Sequence, residues 1–121
     1  MNKYVTSLEL SKRLKELGVE QDSLFYWHTP NEKEKFVVDN KVDEYSVSAF
    51  TVAELGEKLP ELKDNTSEVY KLSTLKRGKD SWTVSYMTNN NAMYQSHFES
   101  SDTEAEARGE MLAYLIDNKL I

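Results

Sequence analysis

The chain has 121 residues, a formal net charge of −6 and no cysteine. Its hydrophobic content of 39% suffices for one folded domain and is too high for a disordered chain. The lack of cysteine excludes disulfides, thiolate metal sites and cysteine nucleophiles. An acidic balance also disfavours nucleic acid as a partner, because binding to a phosphate backbone depends on positive charge.

No apolar run reaches the roughly 18 residues that a membrane-spanning helix requires, so no contact with a membrane is expected. Met1–Tyr4 leads directly into a helical pattern, whereas a signal peptide would continue into an apolar core. We therefore expect a cytoplasmic protein.

The pattern apolar-T-x-x-E-L-x-x-x-L-x-E-L occurs at residues 5–17 and again, 45 positions later, at 50–62. Thr6 with Glu9 and Thr51 with Glu54 have the spacing of a capping box, so each copy predicts a helix N-terminus. Two interpretations remain open. The chain is a degenerate repeat of residues 5–49 and 50–100, or two amphipathic helices share the same capping chemistry.

Three helices are predicted in chain order. The first runs from Ser7 to Leu17 and ends at Gly18. The second begins at Val52 and ends before Pro60, which removes a backbone donor. The third begins after a cap at Ser101 or Thr103. It buries Ala107, Met111, Tyr114 and Leu115, and Gly109 is expected to pack closely against the sheet.

Alternating or β-branched and aromatic segments predict the strands. Before the second helix these are residues 23–29, 36–38 and 45–50, with a turn at 30–33. After it, residues 68–75, 82–86 and 93–98 alternate with turns at 77–80 and 89–91, which is typical of an antiparallel meander. The predicted fold is one α+β domain over residues 1–121. Its order is α-β-β-(β)-α-β-β-β-α, with an antiparallel sheet of four or five strands flanked by the three helices.

Residues that carry catalytic chemistry are sparse. His28 and His97 are the two imidazoles, they lie in different predicted strands, and neither stands at the spacing of a metal site. No glycine-rich phosphate loop and no G-x-S-x-G motif occurs. We therefore expect a protein that is not an enzyme and needs no metal or cofactor.

One basic cluster surrounds the predicted hairpin at residues 77–80. With the aromatic side chains on either side of it, this cluster predicts a phosphate or nucleotide site that works by charge and stacking. The simpler interpretation is a solvated hairpin tip that keeps an acidic protein soluble. The candidate residues are Tyr70, Lys71, Lys76, Arg77, Lys79 and Trp82.

Two further surfaces are candidates for binding another protein. If the helices leave one sheet face bare, Tyr26, Tyr86 and Tyr94 form an exposed aromatic surface. The second candidate is the acidic stretch at the start of the third helix, which also has a simpler explanation as a favourable helix N-terminus. That stretch consists of Glu99, Asp102, Glu104, Glu106 and Glu110.

Three segments resemble small uncharacterised phage and prophage proteins. They are residues 48–57 with Leu59-Pro60, residues 5–10 with 24–27, and residues 102–108 with 111–116. The resemblance covers about half of the chain, and residues 30–44 and the three-asparagine turn depart from it. It implies an α-β-α sandwich in a bacterial host cytoplasm and no particular activity. We therefore expect an accessory protein that binds a host protein, in host takeover or defence evasion, with a small-molecule or nucleotide module at Lys71–Lys79 as the alternative.

Overall fold

The computed structural model describes residues 2–29 and 36–121, and the predicted turn at 30–33 lies outside the described residues. Three α-helices and seven β-strands lie within these ranges, preceded by a short 3-10 turn at Asn2–Tyr4. The elements are α1 (Leu8–Glu16), β1 (Phe25–His28), β2 (Val37–Asp39), β3 (Val47–Ala49), α2 (Val52–Lys58), β4 (Leu62–Lys63), β5 (Val69–Lys76), β6 (Trp82–Met87), β7 (Met93–Ser101) and α3 (Glu104–Asp117).

The α+β class, the antiparallel pairing and the order of elements are confirmed, with the two-residue strand β4 added. The strands divide between two sheets, where a single sheet was expected. One has the order β2-β1-β3 and the other β4-β5-β6-β7. Each sheet has its own apolar cluster. The cluster of the three-stranded sheet contains Trp27 and Val47, whereas in the cluster of the four-stranded sheet Val84 and Tyr86 pack with the helices. The short strands β1–β3 therefore form a separate layer beside α1.

The N-terminus of α1 differs from the predicted capping box. Ser7, and not Thr6, is the N-cap, and its side chain accepts a hydrogen bond from the Leu10 amide. The acidic partner is Glu106 of α3, whose carboxylate accepts from the Ser7 amide at 2.8 Å and from the Ser7 hydroxyl at 2.7 Å. Glu9 is exposed. Glu106, 99 residues away in the chain, thus takes the capping role that the local pattern assigned to Glu9.

Thr6 is fully buried because it joins the entrances of α1 and α2. Its amide donates to the Phe50 carbonyl at 2.9 Å, and the Phe50 amide donates to the Thr6 hydroxyl at 3.1 Å. Val5 and Thr51 form an isolated antiparallel bridge at the same place. At α2 the predicted capping box between Thr51 and Glu54 is confirmed. The two copies of the sequence pattern therefore contact each other and use their threonines differently.

Helix α3 lies against the four-stranded sheet and against α1. Its N-cap is Thr103, one of the two predicted residues, and Ala107, Met111 and Leu115 are buried as expected, whereas Tyr114 is only half-buried. Close packing at Gly109 is confirmed, but the neighbour is α1 and not the sheet. A Cβ placed there would lie 2.6 Å from Leu10 Cδ2. The glycine lets the two helices approach each other.

The β5-β6-β7 meander is confirmed. Trp82, Val84 and Tyr86 of β6 point towards the helices, and Val84 and Tyr86 are buried there. Since adjacent strand residues face opposite sides, Thr83 and Ser85 point away from the helices. The helices therefore cover only one face of this sheet.

Candidate functional site

The outward side of the four-stranded sheet is the main candidate surface, and we call it the bare face. Directly opposed residues of neighbouring antiparallel strands share a face, so the strand register defines its members. Ser85 stands opposite Ser73 and Phe98, and Thr83 stands opposite Leu75 and Ser100. The bare face consists of Lys63, Val69, Lys71, Ser73, Leu75, Thr83, Ser85, Met87, Met93, Phe98 and Ser100.

Two large apolar side chains on the bare face are open to solvent. Leu75 is 49% exposed and Phe98 is 54% exposed. Small hydroxyl residues lie between and beside them, and Thr83 and Ser100 hydrogen-bond to each other across the strands at 2.8 Å. The result is a partly apolar surface. An exposed apolar patch on a sheet is typical of a site that binds another macromolecule.

The prediction that Tyr26, Tyr86 and Tyr94 form one exposed aromatic surface is wrong. Tyr86 is 1% exposed because its strand turns it towards α3. Tyr94 points the same way and packs its ring edge-on against Tyr70. Tyr26 belongs to the other sheet, where its hydroxyl accepts a hydrogen bond from the Ser23 amide. The three tyrosines therefore share no exposed face.

Phe98 and Leu75 are the residues that sequence reasoning missed on the bare face. A usable signal was present, because β6 alternates Trp82, Val84 and Tyr86 with the small polar residues Thr83 and Ser85. That alternation identifies the tyrosine side as the covered one. It does not reveal which residues of β5 and β7 lie opposite Ser85, since that depends on register.

The predicted basic cluster divides between two surfaces. Lys71 lies on the bare face, and Arg77 is the first residue of the hairpin after β5, where its amide donates to the Ser81 carbonyl at 2.7 Å. Lys76 stands opposite Trp82 and so points to the other side. Lys76, Lys79 and Trp82 line a groove there instead.

That groove has a volume of about 430 Å³ and runs between the hairpin and the start of α3. Lys76 Nζ lies 5.3 Å from the centre of the Trp82 ring, a cation–π distance. Lys3, Tyr4 and Lys79 add to the rim. The groove also has three carboxylates, from Asp80, Asp102 and Glu104. Acidic and basic groups are thus equal in number, which weakens its attraction for an anion.

Tyr70 is part of the sheet packing. Its hydroxyl donates to Asp64 at 3.0 Å, in a turn where the same carboxylate also accepts from the Thr66 hydroxyl and amide. The bonds from Thr66, followed by the one from Tyr70, lower the pKa of Asp64, and the bond to Asp64 raises the pKa of Tyr70. This tyrosine positions the β4–β5 turn.

The two histidines do not come together. His28 is buried in the three-stranded sheet, with Nε2 2.6 Å from an Asp39 oxygen. The Asp39 pKa is lowered, chiefly by the hydrogen bond from the Lys41 amide and also by the bond to His28. His97 pairs with Glu99 in β7 and stacks on Tyr114 at 3.5 Å between ring centres. Within residues 2–29 and 36–121, no group of three potential ligands is arranged to hold a metal ion.

The acidic stretch is largely engaged in contacts within the protein. Glu106 caps α1 through Ser7. Glu110 lies 3.3 Å from Arg13, and burial raises its pKa although the arginine opposes the shift. Glu104 pairs with Arg108. The stretch therefore presents fewer free carboxylates than its composition indicates.

Comparison with protein-family models, with curated proteins and with solved structures gave no match. None of the helices in the described part of the chain combines the length and apolar character that a bilayer crossing demands.

Proposed function

We propose that this is a phage-type accessory protein that acts by binding a bacterial host protein through the bare face. The observation that carries the proposal is the exposure of Leu75 and Phe98 on a sheet side that no described helix covers. The apolar side of a sheet is normally covered by helices or by another sheet. Apolar side chains that stay exposed on a sheet therefore favour a binding partner that covers them. The acidic helix start is the weaker surface, because Glu104, Glu106 and Glu110 are already paired.

The setting comes from the sequence. The helix entrances and the final helix resemble those of phage and prophage proteins, which supports a bacterial cytoplasm and a role in host takeover or defence evasion. Binding without catalysis agrees with the separate positions of His28 and His97, each held by one carboxylate.

Affinity capture from a bacterial lysate tests the proposal. The tag follows Ile121, because Asn2–Tyr4 lines the grooves and is better left free. We expect the wild type to retain a host protein, and Leu75→Asp and Phe98→Asp to lose it while their circular dichroism stays unchanged. Tyr45→Asp is the matched control, since Tyr45 is 78% exposed in the loop before β3. Equal capture by all four proteins would contradict the proposal.

A small-molecule or nucleotide module is the second candidate, favoured by Lys76 above Trp82 at the rim of the groove. Titration with nucleoside mono-, di- and triphosphates, followed by tryptophan fluorescence, tests this function. If a nucleotide binds in the groove, the tryptophan fluorescence should change on titration. This change should be lost in Trp82→Phe and kept in Trp27→Phe, because Trp27 belongs to the apolar cluster of the three-stranded sheet. No saturable change in the wild type would exclude it.

A further inference from the structure

We propose that the partner segment on the bare face is an amphipathic helix whose apolar stripe is flanked by carboxylates. This inference rests on the proposed function and adds the chemistry of the partner.

The strand residues of the bare face carry two positive charges and no carboxylate, although the chain as a whole is −6. The cations are Lys63 and Lys71, and the hairpin that follows β5 adds Arg77, Lys79 and Asp80. Among the described residues of β4–β7 the single carboxylate is Glu99, which stands opposite Val84 on the covered side and pairs with His97. Complementary charge across an interface favours a partner that carries acidic groups.

Apolar side chains form a band on the bare face beside the cations, and Met87 stands directly opposite Lys71. Leu75 and Phe98 are exposed, and Met87 and Met93, which stand opposite each other, are half-buried. Methionine side chains adapt to the shape of a partner. Ser73 and Ser85 stand opposite each other and have small side chains, with Phe98 next to Ser85. The face thus offers apolar contact together with positive charge.

The length of the band fits a short helix. Lys71 lies in β5 and Arg77 is the first residue after it, and a separation of six residues in an extended chain corresponds to about 20 Å. At a rise of about 1.5 Å per residue, a helix of about 14 residues spans that distance. Carboxylates near both ends of such a helix would then lie within reach of the two cationic groups.

An extended segment fits less well than a helix. The backbone groups of β5 and β6 are used by their neighbours on both sides, so a new strand could add only at a sheet edge. At one edge, β4 has two residues. At the other, β7 is interrupted between Met93 and Phe98, where Gln95 and Ser96 both have a φ of +52°. Such a bulge blocks continuous strand pairing.

Two other occupants are disfavoured by the same charges. A second copy would place its own Lys63, Lys71 and Arg77 against those of the first. Single-stranded nucleic acid binds through several stacked aromatics and through neutralised phosphates, whereas Phe98 is the one aromatic on the bare face of a chain that is acidic overall.

Selection from a displayed library of random 16-residue peptides tests the inference, with the whole protein as bait. We expect the selected peptides to carry net negative charge and apolar residues at helical spacing, and to lose binding to Phe98→Asp. Lys71→Glu should weaken them about fivefold, the size of one exposed ion pair. Lys15→Glu makes the same charge change on α1 and should leave the affinity unchanged.

The outcomes separate the inference from the proposed function. Selected peptides that need Phe98 but are neutral or basic would overturn the acidic helix and leave the binding face standing. A selection that yields no binding peptide would overturn the inference as well. So would a saturable change in the NMR chemical shift of the Phe98 amide on addition of oligo(dT). Lysate capture that is insensitive to Phe98→Asp would instead remove the proposed function.

Discussion

The Glu106 carboxylate of α3 accepts two hydrogen bonds from Ser7, the N-cap of α1. The Glu106 carboxylate therefore lies at the N-terminus of α1 and in the first turn of α3. The dipoles of both helices favour a negative charge there. Thr103 caps α3 without a reciprocal bond because Glu106, the residue with the right spacing, is used at Ser7. The two helices are thus joined at the same end at which Gly109 lets them approach.

Removing the Ser7–Glu106 contact should destabilise the fold. Ser7→Ala and Glu106→Ala should each lower the free energy of unfolding by about 1–3 kcal/mol, the range for helix caps and hydrogen bonds to a charged group. A double-mutant cycle measured by urea unfolding should give a coupling energy above about 0.5 kcal/mol. Glu9→Ala, at the residue that the local capping pattern indicates, should cost less than either. Additive effects of Ser7→Ala and Glu106→Ala would show that the contact is not formed.

The two helical glycines should respond oppositely to alanine. At Gly109 the new Cβ would meet Leu10 Cδ2 at 2.6 Å and Thr6 Cγ2 at 2.8 Å, both in packed surroundings. Overpacking of about 1–3 kcal/mol should exceed the helix-propensity gain of up to about 1 kcal/mol. At Gly56 the nearest atom is Arg108 Nη1 at 3.1 Å, at the movable end of a long side chain. Urea midpoints should fall for Gly109→Ala and stay level or rise for Gly56→Ala; the reverse order would contradict the close packing of α1 on α3.

Tyr86→Phe should stabilise the protein by about 1 kcal/mol, because the buried hydroxyl has no hydrogen-bond partner among the described residues. Burial also raises the pKa of Tyr86 to about 12. The unfolded chain releases this proton near pH 10, so wild-type stability should fall between pH 10 and 12, by up to about 1.4 kcal/mol per pH unit. Urea unfolding at several pH values should show a smaller alkaline loss in Tyr86→Phe. A large destabilisation at pH 7 would reveal a partner for the hydroxyl.

The Asp64 turn should be sensitive to acid. Its carboxyl pKa is lowered from 3.8, mainly by the Thr66 hydroxyl and further by the Thr66 amide and Tyr70 hydroxyl. A depressed carboxyl pKa contributes stability above the unfolded value, and that contribution is lost as pH falls through the folded value. NMR titration should give an Asp64 midpoint below 3.8 that moves upward in Thr66→Ala and in Tyr70→Phe. An unchanged midpoint in both variants would exclude these bonds.

Local patterns predicted the helices and the meander because their signals lie within a few residues. Thr51 and Glu54 form their box three residues apart, and β6 alternates without interruption. The contact between Ser7 and Glu106 could not be predicted, since the local capping-box spacing favours Thr6 with Glu9 and only tertiary packing makes Ser7 the cap. The same holds for the bare face. Alternation separates Tyr86 from Ser85, but a bulge in β7 determines that Phe98 stands opposite Ser85.

The most direct test of the account is photo-crosslinking from the bare face. A photoreactive phenylalanine analogue replaces Phe98 in one protein and Tyr45 in a second, and both are irradiated in a bacterial lysate. We expect a discrete crosslinked host protein from position 98, which unmodified wild type competes away, and none from position 45. A crosslink from position 45 alone, or no competed product at position 98, would contradict it.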